Sequence, residues 1–431
     1  MINNKATKKI FTAVIILFPI LNSAHIGNRN FGYGDAVLVL VYVLMLFTRG
    51  RPLEFSFQKE SIPFVIFLLY LGSISLINCI LVPQFGFVSM LNPFMRYSFY
   101  GIILFTNKSF FDYEFGVSFY VNVCLAETLY GFIQFVLTFT NGTILPYVFP
   151  FTTMEYGIYG ADYNKQLLHI FQEIDGIRLV GFFPEASHFA QYTIISVVIL
   201  LYKKNKKRGD LVKLILISIA IILTKSSVGI LALVFVSAYY IMTDKYVNSN
   251  KIFFRIILVI VGGILLIIIN NHLEIVGFIQ ERIRRISEKT YAVSGNLRLL
   301  RGFIVFSKAP LRFEIFGIGC GNYANFVETY DINTFFDLTM NRTNEYMNAA
   351  SLLMIRSGLI GTMIYMLSSF VLFININKIH RVIFFIWMEL FFTENIFFSP
   401  MYVLFMWFIV AGVRKNNRGY IAVRGGKTND N

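Results

Sequence analysis

Charge is scarce in this sequence. Only 14% of its 431 residues are Asp, Glu, Lys or Arg, whereas a soluble globular protein carries about a quarter. Cysteine is nearly missing: Cys79, Cys124 and Cys320 are scattered and give neither a disulfide framework nor metal-ligand spacing. No HExxH, no paired CxxC and no DxD occurs. Low charge excludes a soluble enzyme and a disordered chain, and no fibrous repeat is present. What the chain does have is apolar mass. Hydrophobic residues make up 56% and aromatic ones 17%, with 47 Phe and 24 Tyr, and the mean hydropathy is +0.64. This composition implies an integral membrane protein built of helices, because in lipid a helix satisfies its own backbone.

A spanning helix needs about 20 apolar residues. Candidate spans are 10–25, 35–48, 61–81, 87–106, 115–140, 185–202, 211–224, 227–243, 252–271, 346–374, 381–397 and 399–413. The expected fold is an all-α polytopic membrane protein of about 12 transmembrane helices, one membrane domain over 1–431. Polar, basic Met1–Lys9 followed by apolar Ile10–Ile20 reads as a first membrane helix with a cytoplasmic N-terminus. The even span count then puts the C-terminus in the cytoplasm too. Spans 211–224 and 227–243 meet at Lys225-Ser226-Ser227, a tight hairpin.

Basic residues set the orientation. Of 38 Lys and Arg, 23 fall in the segments this topology places inside, the densest run being Lys203 to Lys213. With seven acids beside them, these segments hold +16 against a whole-chain charge of +14, and everything else holds −2. The basic excess is an orientation signal, and no nucleic-acid partner is expected. Two long polar segments remain outside, a first outer loop at 141–184 and a second at 272–345. Long loops in a compact protein are usually functional. The second contains Ile279, Ile283 and Ile286 at helical spacing, with Arg282, Arg285 and Lys289 as a second stripe, the pattern of a short amphipathic helix on the lipid surface.

The first loop ends in Arg178-Leu-Val-Gly-Phe-Phe-Pro-Glu185-Ala-Ser-His188-Phe-Ala. Pro184 suits a first helical turn, and Glu185 and His188, three apart, share one face of it. A guanidinium, a carboxylate and an imidazole at a helix start can bind an anion and move a proton; helix capping is the plainer alternative. Lys225 either reaches a phosphate or snorkels to the interface. Arg298 and Arg301 share a helix face without a nearby acid in sequence, which suits an anionic ligand or a structural role equally. Arg342 and Asn344 lie at the outer mouth of span 346–374. Gly317-Ile-Gly319-Cys-Gly321-Asn322 is a sharp turn outside any βαβ unit, and Gly358 and Gly361 allow close helix approach. Inside the bilayer, Arg96 and Glu127 reach similar depth and are expected to form a structural ion pair. Glu389 and Glu394 are further intramembrane acids without an obvious partner. No metal site and no cofactor is expected.

The pattern Arg-x-x-Gly-Phe-Phe-x-Glu-x-Ser-x-Phe-Ala at 178–190 resembles the Wzy-type O-antigen and polysaccharide polymerases and the related O-antigen ligases. Three further pieces follow in order. Leu223–Gly229 resembles the family's "LTxSRxG" hairpin, with the basic residue, Lys225, ahead of the position of the usual Arg. Arg298 to Asn322 resembles its "R…GxGxGN" loop. Thr343-Asn-Glu-Tyr-Met to Gly358-Leu-Ile-Gly361 resembles its "HNxxL…GxxG" helix start, with Thr343 where ligases carry His.

The resemblance implies a glycosyltransferase of the bacterial inner membrane. It would transfer a growing chain from undecaprenyl pyrophosphate to the sugar end of the next lipid-linked repeat unit. Its implied partners are that lipid-linked glycan, membrane lipids and a chain-length regulator protein. Arg178, Lys225, Arg298, Arg301, Arg342 and Asn344 would meet the pyrophosphate and glycan, and Glu185 or His188 would take the acceptor proton. Transfer to lipid A core, as in the ligases, and a flippase or exporter centred on intramembrane charges are the alternatives.

Overall fold

The computed structural model describes residues 4–22, 32–48, 56–57, 59–106, 111–141, 145, 178–203, 205–243, 294–338, 341–413 and 421–422. The chain is mostly helical. Its helices are α1 (Asn4–Leu21), α2 (Tyr33–Thr48), α3 (Ile62–Leu81), α4 (Phe87–Thr106), α5 (Tyr113–Asn141), α6 (Ala186–Tyr202), α7 (Arg208–Leu223) and α8 (Ser227–Thr243), followed by α9 (Ser294–Ser307), α10 (Leu311–Phe316), α11 (Tyr323–Thr329), α12 (Ala349–Asn375), α13 (Lys378–Thr393) and α14 (Pro400–Ala411). The only sheet among the described residues pairs β1 (Ser56–Phe57) with β2 (Ile421–Ala422), antiparallel.

A helix occupies every expected span that falls among the described residues. The span 252–271 and the amphipathic stripe at 279–289 lie outside them, as does most of the first outer loop. Among the described residues three helices are long and apolar enough to cross a membrane: Ile62–Leu81, Tyr113–Thr140 and Ala349–Asn375. Others are shorter; Pro400–Ala411 has 12 residues, about 18 Å of helix against roughly 30 Å of hydrocarbon. Large apolar side chains stand exposed on the long helices, among them Leu69, Ile80, Phe139 and Met363, a surface suited to lipid rather than water.

The chain divides into two compact units. The first comprises Met1–Phe18, Asp35–Gly116 and Tyr291–Asn431; the second comprises Pro19–Gly34 and Val117–Thr290. In the second, α6 is the central helix, with every residue from Phe189 to Val198 buried. Helices α7 and α8 pack on it. A Cβ on Gly229 would stand 2.4 Å from the Ala190 Cβ, so only glycine lets α8 come this close. At the basic end Lys203 pairs with Asp210 at 2.8 Å, joining α6 to α7.

In the first unit α14 is buried all round, with Met401 to Val410 inside, as expected for a helix that is apolar on every face. Aromatic rings fill the space about it: Tyr365 stacks on Phe391 at 5.7 Å and 13°, and Trp387 meets Tyr402 edge-on. Helix α12 is broken at Gly358, whose φ of 63° and ψ of −173° leave the helical region. The break frees carbonyls, and buried carbonyls need partners. The glycine turn after α10 supplies them: Ile318 N donates to Ile355 O at 3.0 Å, and Gly319 N to Arg356 O at 2.8 Å. The turn is also tied to α3, through Asn78 Nδ2 to Gly317 O at 2.9 Å and Cys320 N to Ser75 Oγ at 2.9 Å.

The expected sharp turn is thus a plug in a broken helix. Gly317, Gly319 and Gly321 all have φ between 70° and 85°. A Cβ on Gly319 would lie 2.6 Å from Ser75 Cα, and one on Gly321 would lie 1.8 Å from Ser89 O. The same enclosure pushes the Cys320 thiol up to about 11 through burial. Gly319→Ala should therefore cost more than about 2 kcal/mol, from left-handed strain plus displaced backbone. The readout is maleimide labelling mapped by mass spectrometry: Cys320 should stay unlabelled in the native wild type and become labelled in the variant. Equal protection in both would remove the plug's structural importance.

Candidate functional site

In the second unit the segment 178–185 is built as a pinned turn. Gly181 adopts φ +62°, and the chain doubles back with Phe183 N donating to Val180 O. Two residues of α5 hold it. Glu127 Oε2 accepts from Phe182 N at 3.0 Å, and Gln134 Nε2 donates to Gly181 O at 3.1 Å. Phe182 stacks flat on Tyr130, centroids 4.2 Å apart at 5°. Leu179 N donates to Leu223 O at 3.2 Å, tying the turn to the last residue of α7.

This arrangement brings Arg178, Glu185, His188 and Lys225 to one end of the α6–α8 group, opposite Lys203 and Asp210. Glu185 is the N-cap residue of α6, but its side chain takes no helix amide. Its Oε2 accepts instead from Ser187 Oγ at 3.1 Å. Pro184 precedes the cap rather than opening the first turn. His188 is half-buried on that first turn. Lys225 follows the C-cap of α7 with φ 51°, a left-handed position where glycine is the usual residue.

In the first unit Arg301 and Arg356 hold the turn at 341–345, and Arg298 stands just beyond it at Tyr346. Arg301, expected to meet an anionic ligand, is fully buried. It donates to the carbonyls of Asn344 at 2.7 Å, Asn341 at 3.1 Å and Arg342 at 3.0 Å. Its guanidinium holds the turn, because a buried cation must direct its donors at acceptors. Arg298 has the acid that sequence proximity did not show: Glu394 Oε2 lies 2.5 Å from its Nη1. Its Nε donates to Tyr346 Oη at 2.6 Å, and the guanidinium sits 4.9 Å from that ring's centre. Arg342 forms a surface pair with Asp331 at 2.9 Å, and the Asn344 side chain is exposed.

Arg356 is the residue that motif reading passed over. It lies in α12 just before the break, is 5% exposed, pairs with Glu345 at 2.5 Å and donates to Tyr97 Oη. Its signal was present: an arginine inside a long apolar helix is costly and needs a partner.

The expected Arg96–Glu127 pair is replaced by two separate arrangements. Arg96 pairs with Asp35 at 3.1 Å and donates to Tyr100 Oη at 2.7 Å. Tyr100 in turn donates to Asp35 at 2.5 Å. Glu127 holds the amide of Phe182. Helix depth alone did not reveal Asp35, which opens α2 and is 3% exposed. Among the described residues no group of three or more His, Cys, Asp or Glu is placed to hold a metal ion.

Arg301→Ala should destabilise the chain by about 3 kcal/mol or more, since three charge-assisted hydrogen bonds and a buried side chain are lost. Arg301→Lys should not rescue it, because an ammonium lacks the planar fork. Thermal unfolding of the detergent-purified chain checks this, and a near-wild-type midpoint for either variant would contradict the structural role. No family model matches this chain, and no curated protein matches it either.

Proposed function

We propose that this chain is a polysaccharide polymerase. It joins undecaprenyl-pyrophosphate-linked oligosaccharide repeat units into a surface polysaccharide at the outer face of the inner membrane. The observation that carries this reading is the packing of two motif segments far apart in sequence. The 178–190 segment and the 223–229 hairpin meet through Leu179 N and Leu223 O and through the Gly229–Ala190 contact.

The chemistry asks for cations beside a pyrophosphate leaving group and a base for the acceptor hydroxyl. Arg178 and Lys225 are the cations of the second unit. Arg298, 15% exposed beside Glu394, and the more open Arg342 are those of the first. Glu185 and His188 are the candidates to take the proton. The conformation at Lys225 supports a role for its side chain: a lysine there carries left-handed strain that glycine would relieve. A lipid-linked glycan, membrane lipids and a chain-length regulator are the partners of this reading.

The ligase alternative uses the same chemistry with lipid A core as acceptor, and Thr343 in place of His speaks against it. A transporter would draw on the broken helix α12, since broken helices often bind cargo. Here, though, the carbonyls of Ile355 and Arg356 already accept from Ile318 and Gly319.

Arg178→Ala and Arg298→Ala should leave the protein in the membrane and abolish long-chain polymer, read on gels of surface polysaccharide. Normal chain lengths in both would refute the assignment. Lys225→Gly should raise the stability of the purified chain by about 1 kcal/mol while shortening the polymer. A stabilised variant with unchanged polymer would leave Lys225 without a catalytic part.

A further inference from the structure

A cavity of about 480 Å³ opens between the starts of α1 and α5, within the first unit. Lys5 and Lys8 line it from α1, and Phe111, Asp112, Tyr113 and Glu114 line it from the start of α5. None of these residues takes part in the polymerase reading. The volume falls among small-molecule sites, which run from about 300 to 1,000 Å³.

The walls of the cavity are fixed. Asp112 N donates to Thr12 Oγ1 at 2.9 Å, and Thr12 Oγ1 donates to Lys8 O at 2.8 Å. One hydroxyl thus joins the two helix starts. Asp112 Oδ1 accepts from Phe115 N at 3.1 Å, which orients the carboxylate at the head of α5. The Phe111 ring packs on Phe11 at 5.3 Å and on Trp407 at 5.8 Å. Tyr113 Oη and His380 Nε2 are hydrogen-bonded at 2.8 Å. Lys8 and Asp112 are half-buried, whereas Lys5 and Glu114 are exposed at the mouth.

Depth narrows the ligand. The span Tyr113–Thr140 has 28 residues, about 42 Å of helix, which matches a bilayer with its headgroups included. Its first turn therefore falls at headgroup level. Helix α1 changes character at the same place: Lys5, Lys8 and Lys9 are followed by the apolar run from Ile10.

Charge narrows it further. The cavity offers two basic and two acidic side chains. A simple anion would be repelled by the carboxylates, and a simple cation by the ammoniums. A zwitterion satisfies both pairs. Lys5 and Lys8, three apart on one helix face, suit a phosphodiester. Asp112 and Glu114 suit a primary ammonium, whose three N–H donors a quaternary ammonium lacks. The Phe111 and Tyr113 rings supply apolar wall for the carbons between.

We propose that this cavity binds the zwitterionic headgroup of an aminophospholipid of the phosphatidylethanolamine type. The phosphate is held by Lys5 and Lys8, and the ammonium by Asp112 and Glu114. The site goes beyond the polymerase reading and does not depend on it.

The test uses the full chain purified in detergent. It is titrated with phosphatidylethanolamine, phosphatidylcholine and phosphatidylglycerol, and bound lipid is read by native mass spectrometry. The wild type should hold phosphatidylethanolamine about fivefold more tightly than either of the others. The double variant Lys5→Gln/Lys8→Gln should weaken that binding about tenfold. Glu114→Gln should weaken phosphatidylethanolamine and strengthen phosphatidylglycerol, each about threefold, because one carboxylate that holds the ammonium and repels the anion is gone.

Opposite shifts for two lipids cannot come from misfolding, which would lower both. Inorganic phosphate in excess should displace none of the bound lipid. The proposal is overturned if the wild type shows no preference for phosphatidylethanolamine, or if the double variant binds it like wild type. Shifts in the same direction for both lipids in Glu114→Gln would overturn it as well. Displacement by inorganic phosphate would make the cavity a site for a free anion instead.

Discussion

At the break in α12, two backbone amides from a glycine turn close two carbonyls that the helix left open. Ile318 and Gly319 donate to Ile355 and Arg356, and much of the first unit follows from that closure. A broken helix inside an apolar body is tolerable only when its freed backbone is satisfied. The turn can reach the break only because three glycines adopt a conformation closed to other residues. The same contact ties α10 to α12 and, through Asn78 and Ser75, to α3. It also fixes where Arg356 stands, and through Arg356 the Glu345 carboxylate.

Arginine does different work at each position, and burial decides which. Arg301, sealed from solvent, holds a turn by its carbonyls. Arg356, nearly as buried, has a carboxylate and a phenol. Arg298 keeps some exposure and shares itself between Glu394 and Tyr346. Arg342 is at the surface, where an ion pair contributes little. The residue type is the same throughout; the number of donors left for a ligand falls as the side chain goes inward.

The second unit uses a buried carboxylate in a comparable way. Glu127 points at the amide of Phe182 and, with Gln134, holds the Gly181 turn from α5. The turn in turn places Arg178 and the start of α6. A mid-helix acid therefore acts on the candidate site from behind, without being a member of it.

Composition and hydropathy made the helical, membrane-suited character of this chain legible, and helices stand where the apolar runs fall because length and apolarity are local properties. The motif segments were legible too, as were their order and the tight hairpin at Lys225-Ser226-Ser227. Ion-pair partners were not. Glu394 is 96 residues from Arg298, and Asp35 is 61 from Arg96 (96 − 35), so neither lies in the helical neighbourhood that spacing rules cover. Depth along a span brought Arg96 and Glu127 level but said nothing of which helices adjoin. The sequence by itself determined the class of structure and which residues carry charge. Only the tertiary structure decided which of those charges are consumed by the protein and which still face outward, because the partner of a buried charge is set by packing between elements far apart in the chain.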